Sequence, residues 1–425
     1  MIQEIIVPIA YFLFFLLIIG NTRFFTCSSV SKTILFAAFS LKAFCAILYG
    51  YLFRSGLLTG DDTYLYFYNG NVVYGALKSN PLVYLQLALG ANDFKPVPQH
   101  LLMYTDNMHF WFDKANYFLV RLNALIRLFS FGIYNVHAIV FSFLSFIGIY
   151  NLYLFFESRL NNKRLLQFIL FGIPSVVFWT SGIHKEAITI FGLGLILYNL
   201  DRISMKKYSV GSFLFLFTGL FFLGYVRFYS LMILLPLAIA MLISKSLKPR
   251  IPSIFIYLLT GCVFILIAIL IDVLSPEINL MKELFIRRDY FLRTIPGNMT
   301  FPIITNVPHN ISGYSELAME AIVNPILRPF PSECKGYLPV LACVETWMFI
   351  GVIFYLLCTL DFKSFIRNSG AIFSVLFGLN TLFLIGLIVN NSGAIVRYRS
   401  IAIPFILIGL CLSRKETQAN DVNSN

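Results

Sequence analysis

Long apolar runs recur along this sequence, and they are the feature that most limits its possible folds. Ser253 to Leu274 and Gly370 to Val389 are apolar on nearly every helical face and show no alternation with a period of two. A helix of about 20 such residues crosses the ~30 Å hydrocarbon core of a bilayer. The pattern therefore predicts transmembrane helices rather than the strands of a membrane barrel.

Composition supports a membrane environment. Hydrophobic residues make up 58% of the chain, charged residues 12%, and the mean hydropathy is +0.80, whereas a soluble domain carries about 25% charged residues. We expect an all-α polytopic membrane protein with about eleven transmembrane helices. The predicted spans are 4–20, 33–53, 133–156, 165–181, 187–200, 210–226, 229–244, 253–274, 341–360, 370–389 and 401–412.

The first apolar segment is expected to remain in the protein. Ile5 to Ile19 lacks both the basic flank and the small-residue cleavage site of a signal peptide. We therefore expect a single transmembrane domain over 1–412, followed by a short cytoplasmic tail over 413–425.

Basic residues predict the orientation, because connections rich in Lys and Arg face the cytoplasm. Short basic clusters occupy every second connection, so the amino terminus is expected outside and the carboxyl terminus inside. The same distribution accounts for the net charge of +12 without a nucleic-acid partner. The clusters are Arg23 and Lys32; Arg159, Lys163 and Arg164; Arg202, Lys206 and Lys207; Lys245, Lys248 and Arg250; Lys363 and Arg367; Arg414 and Lys415.

Two long connections, 54–132 and 275–340, are predicted to lie on the extracytoplasmic side and to contain interfacial helices. Within the first, Asn116, Asn123 and Arg127 recur at helical spacing opposite apolar positions, which is typical of a helix that lies in the membrane interface.

Four basic residues lie in short outer connections, where basic residues should be scarce. They are Lys185, Arg227, Arg397 and Arg399. Cations near hydrocarbon often mark a substrate pathway, and guanidinium groups match phosphate oxygens. As a set they indicate a phosphate-binding site; the alternative is that each reaches lipid headgroups or pairs with a carboxylate such as Glu186 or Asp289.

An acidic pair, Asp61 and Asp62, follows a glycine just beyond the second predicted span, with Tyr64 close behind. One carboxylate could act as a general base and the other could orient the attacking hydroxyl. The alternative is that Asp62 caps a helix that runs through Tyr64. The two roles are compatible.

His184 and Glu186 flank Lys185, after Pro174 and Gly182, which should break the fourth span. No histidine forms a metal-spaced pair with His184, so no metal site is expected, and Mg²⁺ has no supporting motif. Nucleotide-binding and hydrolase motifs are also missing from the sequence, so no cofactor is expected. Of the seven cysteines, only Cys334 and Cys343 suggest a disulfide, if their loop is extracytoplasmic.

In this layout the chain resembles the polytopic glycosyltransferases of the GT-C superfamily and the O-antigen polymerases of bacterial polysaccharide assembly. The resemblance rests on Asp61-Asp62 with Tyr64, on the segment from Asn391 to Arg399 followed by Pro404, and on the proline-rich segment from Asn324 to Pro331. It implies that Asp61 or Asp62 is the catalytic base or orients the acceptor, and that Arg397 or Arg399 holds a lipid-linked phosphate. It also implies that the protein lies in the inner membrane of a bacterium.

The function implied is transfer of a sugar or glycan from a polyprenyl-phosphate or polyprenyl-diphosphate donor to a glycan or lipid acceptor at the extracytoplasmic face. A repeat-unit polymerase for O-antigen or capsule is the alternative within this class, and it gives more weight to the outer arginines. A lipid-linked glycan flippase or ion-coupled transporter is the alternative from another class, and it predicts charges deep in the spans, where Lys42 is the clearest example. The outer arginines are Arg287, Arg288, Arg293 and Arg328.

Overall fold

The computed structural model describes residues 2–57, 62–90, 96–247, 251–275, 280–294 and 299–415. Helices provide nearly all the regular structure of these residues. They contain no β-strand, and the only strand-like pairings among them are the isolated bridges Thr300–Asn391 and Leu360–Arg414. The predicted all-α class is confirmed.

The described chain forms two compact units. Unit 1 comprises residues 1–158 and 170–231, and unit 2 comprises residues 159–169 and 232–425. Helix α13, Phe228–Leu247, starts in unit 1 and continues in unit 2. The other helices of unit 1 are α1 Gln3–Asn21, α2 Arg23–Thr26, α3 Lys32–Arg54, α4 Asp62–Ser79, α5 Pro81–Leu89, α6 Gln99–Thr105, α7 Lys114–Ile126, α8 Tyr134–Glu157, α10 Pro174–Trp179, α11 Lys185–Ser204 and α12 Val210–Val226.

Unit 2 contains the short helix α9, Lys163–Gln167, and most of the carboxyl-terminal half of the chain. A π-helix, Phe168–Gly172, follows α9, and a 3₁₀ turn, Pro331–Glu333, precedes α17. The remaining helices are α14 Ser253–Leu274, α15 Leu280–Thr294, α16 Ile311–Leu327, α17 Tyr337–Cys358, α18 Phe362–Phe365, α19 Ser369–Ile388, α20 Ser392–Arg399 and α21 Ala402–Cys411.

Small residues let the central helices of each unit approach closely. A Cβ atom on Gly194 of α11 would overlap the carbonyl oxygen of Gly148 on α8, and one on Gly386 of α19 would overlap the carbonyl oxygen of Ala321 on α16. Such contacts are typical of helices that associate inside a membrane, where close packing replaces the hydrophobic effect.

Eight of the described helices are long and apolar enough to cross a membrane: α1, α3, α8, α11, α13, α14, α17 and α19. The pair α20 and α21, bent by 50°, would add a ninth as one broken span. Many large apolar side chains of these helices are exposed, such as Leu259, which is 68% exposed. An apolar surface of this kind suits lipid rather than water, so the protein is an integral membrane protein.

The predicted number of eleven spans stays a prediction, because two of the segments form shorter helices. The segment 210–226 is a 17-residue apolar helix. The segment 165–181 contains the end of α9, the π-helix and α10, and α10 begins at Pro174 after the extended residue Ile173. The break expected at Pro174 is therefore confirmed.

Helix α7 corresponds to the interfacial helix predicted in the first long connection, but its polar side is not exposed. Asn123 is fully buried, and its Oδ1 is 2.8 Å from Nδ1 of His137 on α8. Arg127 donates through Nε to Oδ1 of Asn71 on α4, at 2.9 Å. The polar residues of α7 therefore join it to its neighbours, since periodicity alone does not distinguish a solvent-facing polar side from a buried hydrogen-bonded one.

Candidate functional site

Five charged side chains from four helix ends lie together in unit 1. Asp62 begins α4, Asp113 caps α7, Lys185 and Glu186 begin α11, and Arg227 ends α12. Asp113, Arg227, Asp62 and Glu186 are all close enough to Lys185 to interact with it electrostatically. We call these five residues the charge cluster. The sequence singled out four of them, and the fold adds Asp113.

Within the charge cluster, Arg227 and Glu186 form a buried ion pair. Arg227 Nη2 donates to Glu186 Oε1, and Nη1 donates to the hydroxyl of Tyr229. The side chains of Arg227 and Glu186 are only 5% and 1% exposed. The alternative considered from the sequence, in which an outer cation pairs with Glu186, is thus found for Arg227. This pair joins α11 to the connection after α12.

Asp113 is held by its own helix and by α4. Its Oδ1 accepts the Asn116 backbone N–H at 3.0 Å, and its Oδ2 accepts the Asn116 side-chain amide at 2.7 Å. The Tyr66 hydroxyl donates to Asn116 Oδ1 at 2.5 Å. This chain of hydrogen bonds fixes the start of α7 against α4. The sequence signal for this role is an Asp immediately before a helix, a position where its side chain can accept the backbone N–H of the third helical residue.

Asp62 lies in the first turn of α4 and is partly buried, while Asp61 lies outside the described residues. A carboxylate at this position interacts favourably with the positive end of the helix dipole. Next to it, the Thr63 hydroxyl is 2.7 Å from that of Tyr134, and the Tyr64 ring stacks on the Tyr134 ring with centroids 4.3 Å apart. The helix predicted to run through Tyr64 is present, but Asp62 is its first residue rather than its cap, and the catalytic role remains a prediction.

His184 and Lys42 pack inside unit 1. The His184 side chain is 1% exposed, and its ring meets the Tyr49 ring edge-on with centroids 4.0 Å apart. The Lys42 ammonium donates to Thr180 Oγ1 at 2.7 Å and to the Thr180 carbonyl at 3.2 Å. Gly182, whose φ is +79°, permits the turn between Thr180 and His184. These contacts place Lys185 at the start of α11.

The late basic residues Arg397 and Arg399 belong to unit 2. Arg399 is 3% exposed; it donates through Nη1 to the Arg328 carbonyl at 2.8 Å and through Nη2 to the Thr346 hydroxyl. It therefore joins α20 to α17 and to the segment after α16. Arg397 is only partly buried and donates through Nη2 to the Tyr398 hydroxyl at 3.0 Å.

A compact group of contacts supports the start of α20. Arg328 pairs with Glu333, and its guanidinium lies 3.8 Å from the centroid of the Phe301 ring. Glu333 Oε2 also accepts the Ser392 hydroxyl at 3.0 Å, and the Ser392 backbone N–H donates to the Met299 carbonyl at 3.0 Å. Arg328 and Glu333 thus hold the connection before α17 against α20.

The arginines of α15 differ in exposure. Arg288 is fully buried and donates to the carbonyls of Ile304 and Leu387, at 2.5 and 2.7 Å, and to Glu320. Arg287 is exposed and pairs with Glu283 one helical turn away, at 3.1 Å. Exposed Arg293 pairs in the same way with Asp289, at 2.8 Å.

The thiols of Cys334 and Cys343 are both free. Cys334 is close to the carbonyls of Phe330 and Pro339, with Sγ–O distances of 3.4 and 3.3 Å. Burial, reinforced by the neighbouring Cys343 thiol, raises the pKa of Cys334 to about 11. The thiol of Cys334 is therefore predominantly protonated at neutral pH.

The fold thus brings Asp62, Lys185, Glu186 and Arg227 together in unit 1, with His184 and Tyr64 packed nearby, and it places Arg287, Arg288, Arg397 and Arg399 in unit 2. The convergence of both sets on one substrate stays a prediction. In the described part of the chain, no group of three or more His, Cys, Asp or Glu side chains could hold a metal ion.

No protein-family model, no curated protein and no solved structure matches this chain.

Proposed function

We propose that this protein is a membrane glycosyltransferase that moves a sugar or glycan from a polyprenyl-phosphate or polyprenyl-diphosphate donor to an acceptor hydroxyl at the extracytoplasmic face. The observation that supports the proposal is the charge cluster of unit 1, where the carboxylate of Asp62 and the ammonium of Lys185 lie near each other at the ends of two helices. Such a transfer needs a base for the nucleophile and a cation for the leaving phosphate.

Asp62 is assigned as the base. It accepts the proton of the acceptor hydroxyl while the hydroxyl oxygen bonds to the anomeric carbon and the bond from that carbon to the phosphate oxygen breaks. Asp113 is the less suitable base, because each of its carboxylate oxygens already accepts a hydrogen bond from Asn116. Its role is to position the start of α7. Asp61 is the other acidic candidate in this proposal.

Lys185 is assigned to the leaving phosphate, whose negative charge grows as the bond to the sugar breaks. Arg227 is less available for this role because it is buried against Glu186. The ion pair of Arg227 and Glu186 instead holds the first turn of α11, from which Lys185 projects. In unit 2, partly buried Arg397 is that unit's own candidate for binding phosphate, and Arg399 holds its helix in place.

A repeat-unit polymerase is the second candidate, and the arginines of α15 favour it. Arg287 is 58% exposed, so its guanidinium can reach a glycan or a diphosphate in solution. The flippase alternative gains less support, since the ammonium of Lys42 is bound by Thr180. These hydrogen bonds tie Lys42 of α3 to the residue that follows α10.

Complementation of a deletion strain tests the proposal through its lipid-linked glycans. Asp62→Asn and Lys185→Gln are expected to abolish complementation while protein levels in the membrane are unchanged; Asp61→Asn tests the other carboxylate. Asp106→Asn and Lys114→Gln, which alter exposed residues of the connection 54–132 that contains Asp62, are the controls and should complement fully.

The intermediate that accumulates distinguishes the candidates. An unmodified acceptor together with its intact lipid-linked sugar donor indicates a transferase, and unpolymerised single repeats indicate a polymerase. A lipid-linked glycan trapped on the cytoplasmic leaflet indicates a flippase and contradicts the proposal. Full complementation by Asp61→Asn, Asp62→Asn and their double variant would also refute it.

A further inference from the structure

A second basic site lies in unit 2, around a cavity of about 390 Å³. Arg159, Lys245 and Arg367 line the cavity, and no Asp or Glu is among the described residues of its lining. The three cations come from segments that are far apart in the sequence, the first after α8, the second in the last turn of α13 and the third before α19. The fold therefore places positive charge from three distant segments around one cavity.

Hydroxyl groups form a polar lining between the cations. Ser244 Oγ is 2.7 Å from Ser253 Oγ, and Ser253 Oγ donates to the Arg367 carbonyl at 2.9 Å. Ser253 and Ser244 are 5% and 9% exposed. On the other side, the Tyr257 hydroxyl is 3.0 Å from Ser369 Oγ. These bonds connect α13, α14 and α19, so the cavity has a defined shape.

Two helices begin at this cavity, α14 at Ser253 and α19 at Ser369. Their amino-terminal ends add positive dipole charge to that of the three cations. The Arg159 side chain lies beside Gly370, where an added Cβ would be 3.5 Å from Arg159 Cδ. The combination of guanidinium, ammonium, hydroxyl groups and helix ends suits a phosphate group.

The surrounding surface indicates a phosphate that belongs to a lipid. Helices α13, α14 and α19 are all long and apolar enough to cross a membrane, and the cavity lies where one of them ends and two begin. On α14, within two turns of Ser253, the side chains of Phe255 and Leu259 are 59% and 68% exposed. Acyl chains can lie along these side chains while the headgroup reaches the cavity.

We propose that this cavity binds the phosphate of an acidic phospholipid headgroup, in the leaflet at this end of unit 2. The distribution of Lys and Arg in the sequence predicts that this leaflet is the cytoplasmic one, where anionic lipids attract basic residues near the membrane surface. The site is distinct from the charge cluster of unit 1 in its residues and its expected ligand, and it does not depend on the proposed transferase activity.

Lipid binding to the purified full-length protein in detergent tests this proposal. The ligands to be titrated are phosphatidylglycerol, phosphatidylcholine and inorganic phosphate, with bound lipid counted by native mass spectrometry. The test variant combines Arg159→Gln, Lys245→Gln and Arg367→Gln. The control variant combines Arg164→Gln, Lys207→Gln and Lys363→Gln, which removes the same charge from exposed positions outside the cavity lining.

We expect phosphatidylglycerol to bind the wild-type and control proteins and to bind the test variant roughly tenfold or more weakly, since each cation near the surface contributes to anionic lipid binding. Phosphatidylcholine should bind more weakly to all three. Equal binding of phosphatidylglycerol to the test variant and the wild type would overturn the proposal. Equal weakening of phosphatidylglycerol binding in the control variant would also overturn it. Binding of inorganic phosphate by the wild type without binding of phosphatidylglycerol would do the same.

A second variant keeps the charge of the site unchanged. Gly370→Leu is expected to fill the cavity beside Arg159 and to weaken phosphatidylglycerol binding without removing a cation. If the triple variant is not monodisperse, this variant and the three single replacements decide the question. Wild-type affinity in all four would overturn the proposal.

Discussion

Arg227 donates a charged hydrogen bond to Glu186, 41 residues earlier in the chain, and both side chains are almost completely buried. Glu186 lies beside Lys185 in the first turn of α11, while Arg227 ends α12. The pair therefore fixes the ends of two helices against each other at the point where the candidate phosphate-binding residue projects.

Removal of one partner of this pair should destabilise unit 1 strongly. Arg227→Met or Glu186→Met leaves the other partner buried without the charge that it pairs with, which costs about 3–5 kcal/mol. The double variant Arg227→Met/Glu186→Met should recover much of that stability, because it buries no charge. Thermal unfolding in detergent measures this double-mutant cycle. Additive losses in the double variant would show that the two charges are not coupled.

Gly194 is expected to tolerate no side chain. In Gly194→Ala the new methyl group overlaps the Gly148 carbonyl, so α8 and α11 must separate, at a cost of about 1–3 kcal/mol or more. Gly261→Ala in α14 is the matched control, since an added Cβ there meets no atom of the described residues within 4 Å. The measurement is the melting temperature of each purified variant. Equal melting temperatures would contradict the close helix packing.

Arg399 and Arg397 should respond differently to substitution, although only one residue separates them. Arg399→Lys cannot reach both the Arg328 carbonyl and the Thr346 hydroxyl, so it should lower stability by about 1–3 kcal/mol. Arg397→Gln should leave the melting temperature nearly unchanged and reduce complementation. A large loss of stability in Arg397→Gln alone would reverse these two assignments.

Cys334 should react slowly with alkylating reagents at neutral pH. Burial raises its pKa to about 11, so the reactive thiolate is scarce at pH 7 and becomes abundant only as the pH approaches that value. A variant that retains only Cys334 and Cys343, in which modified Cys334 is quantified by peptide mass spectrometry, should be labelled at Cys334 about ten times faster for each pH unit between 8 and 10. Free cysteine, with a pKa of about 8.5, is the reference thiol. A plateau in rate near pH 9 would contradict the shift.

The starts of several helices could be predicted from local signals. Asp62 begins α4, and Pro174 begins α10 after the predicted break. Both effects act within one helical turn, since a carboxylate favours the amino-terminal end of a helix and proline disrupts the turn before it. They are therefore visible without knowledge of the fold.

The partners of the charged residues could not be predicted in this way. From the sequence, Arg288, Arg397 and Arg399 are alike, because each is an arginine of a predicted outer connection. In the structure Arg288 and Arg399 are buried and donate to backbone carbonyls of distant segments. Asp113 carries only the local signal of a helix cap, and it became a candidate for the site only through its position beside Lys185. Hydrogen bonds of this kind depend on which helices pack together.

By itself the sequence determined that this is a helical membrane protein, because the solvent in which an apolar run is stable depends on the composition and length of that run. Only the tertiary structure decided that Arg227 pairs with Glu186 and that Arg159 lines a cavity together with Lys245 and Arg367. The physical reason is range: hydrophobic transfer is a property of each segment, whereas the role of a charge depends on neighbours that the fold brings from elsewhere in the chain.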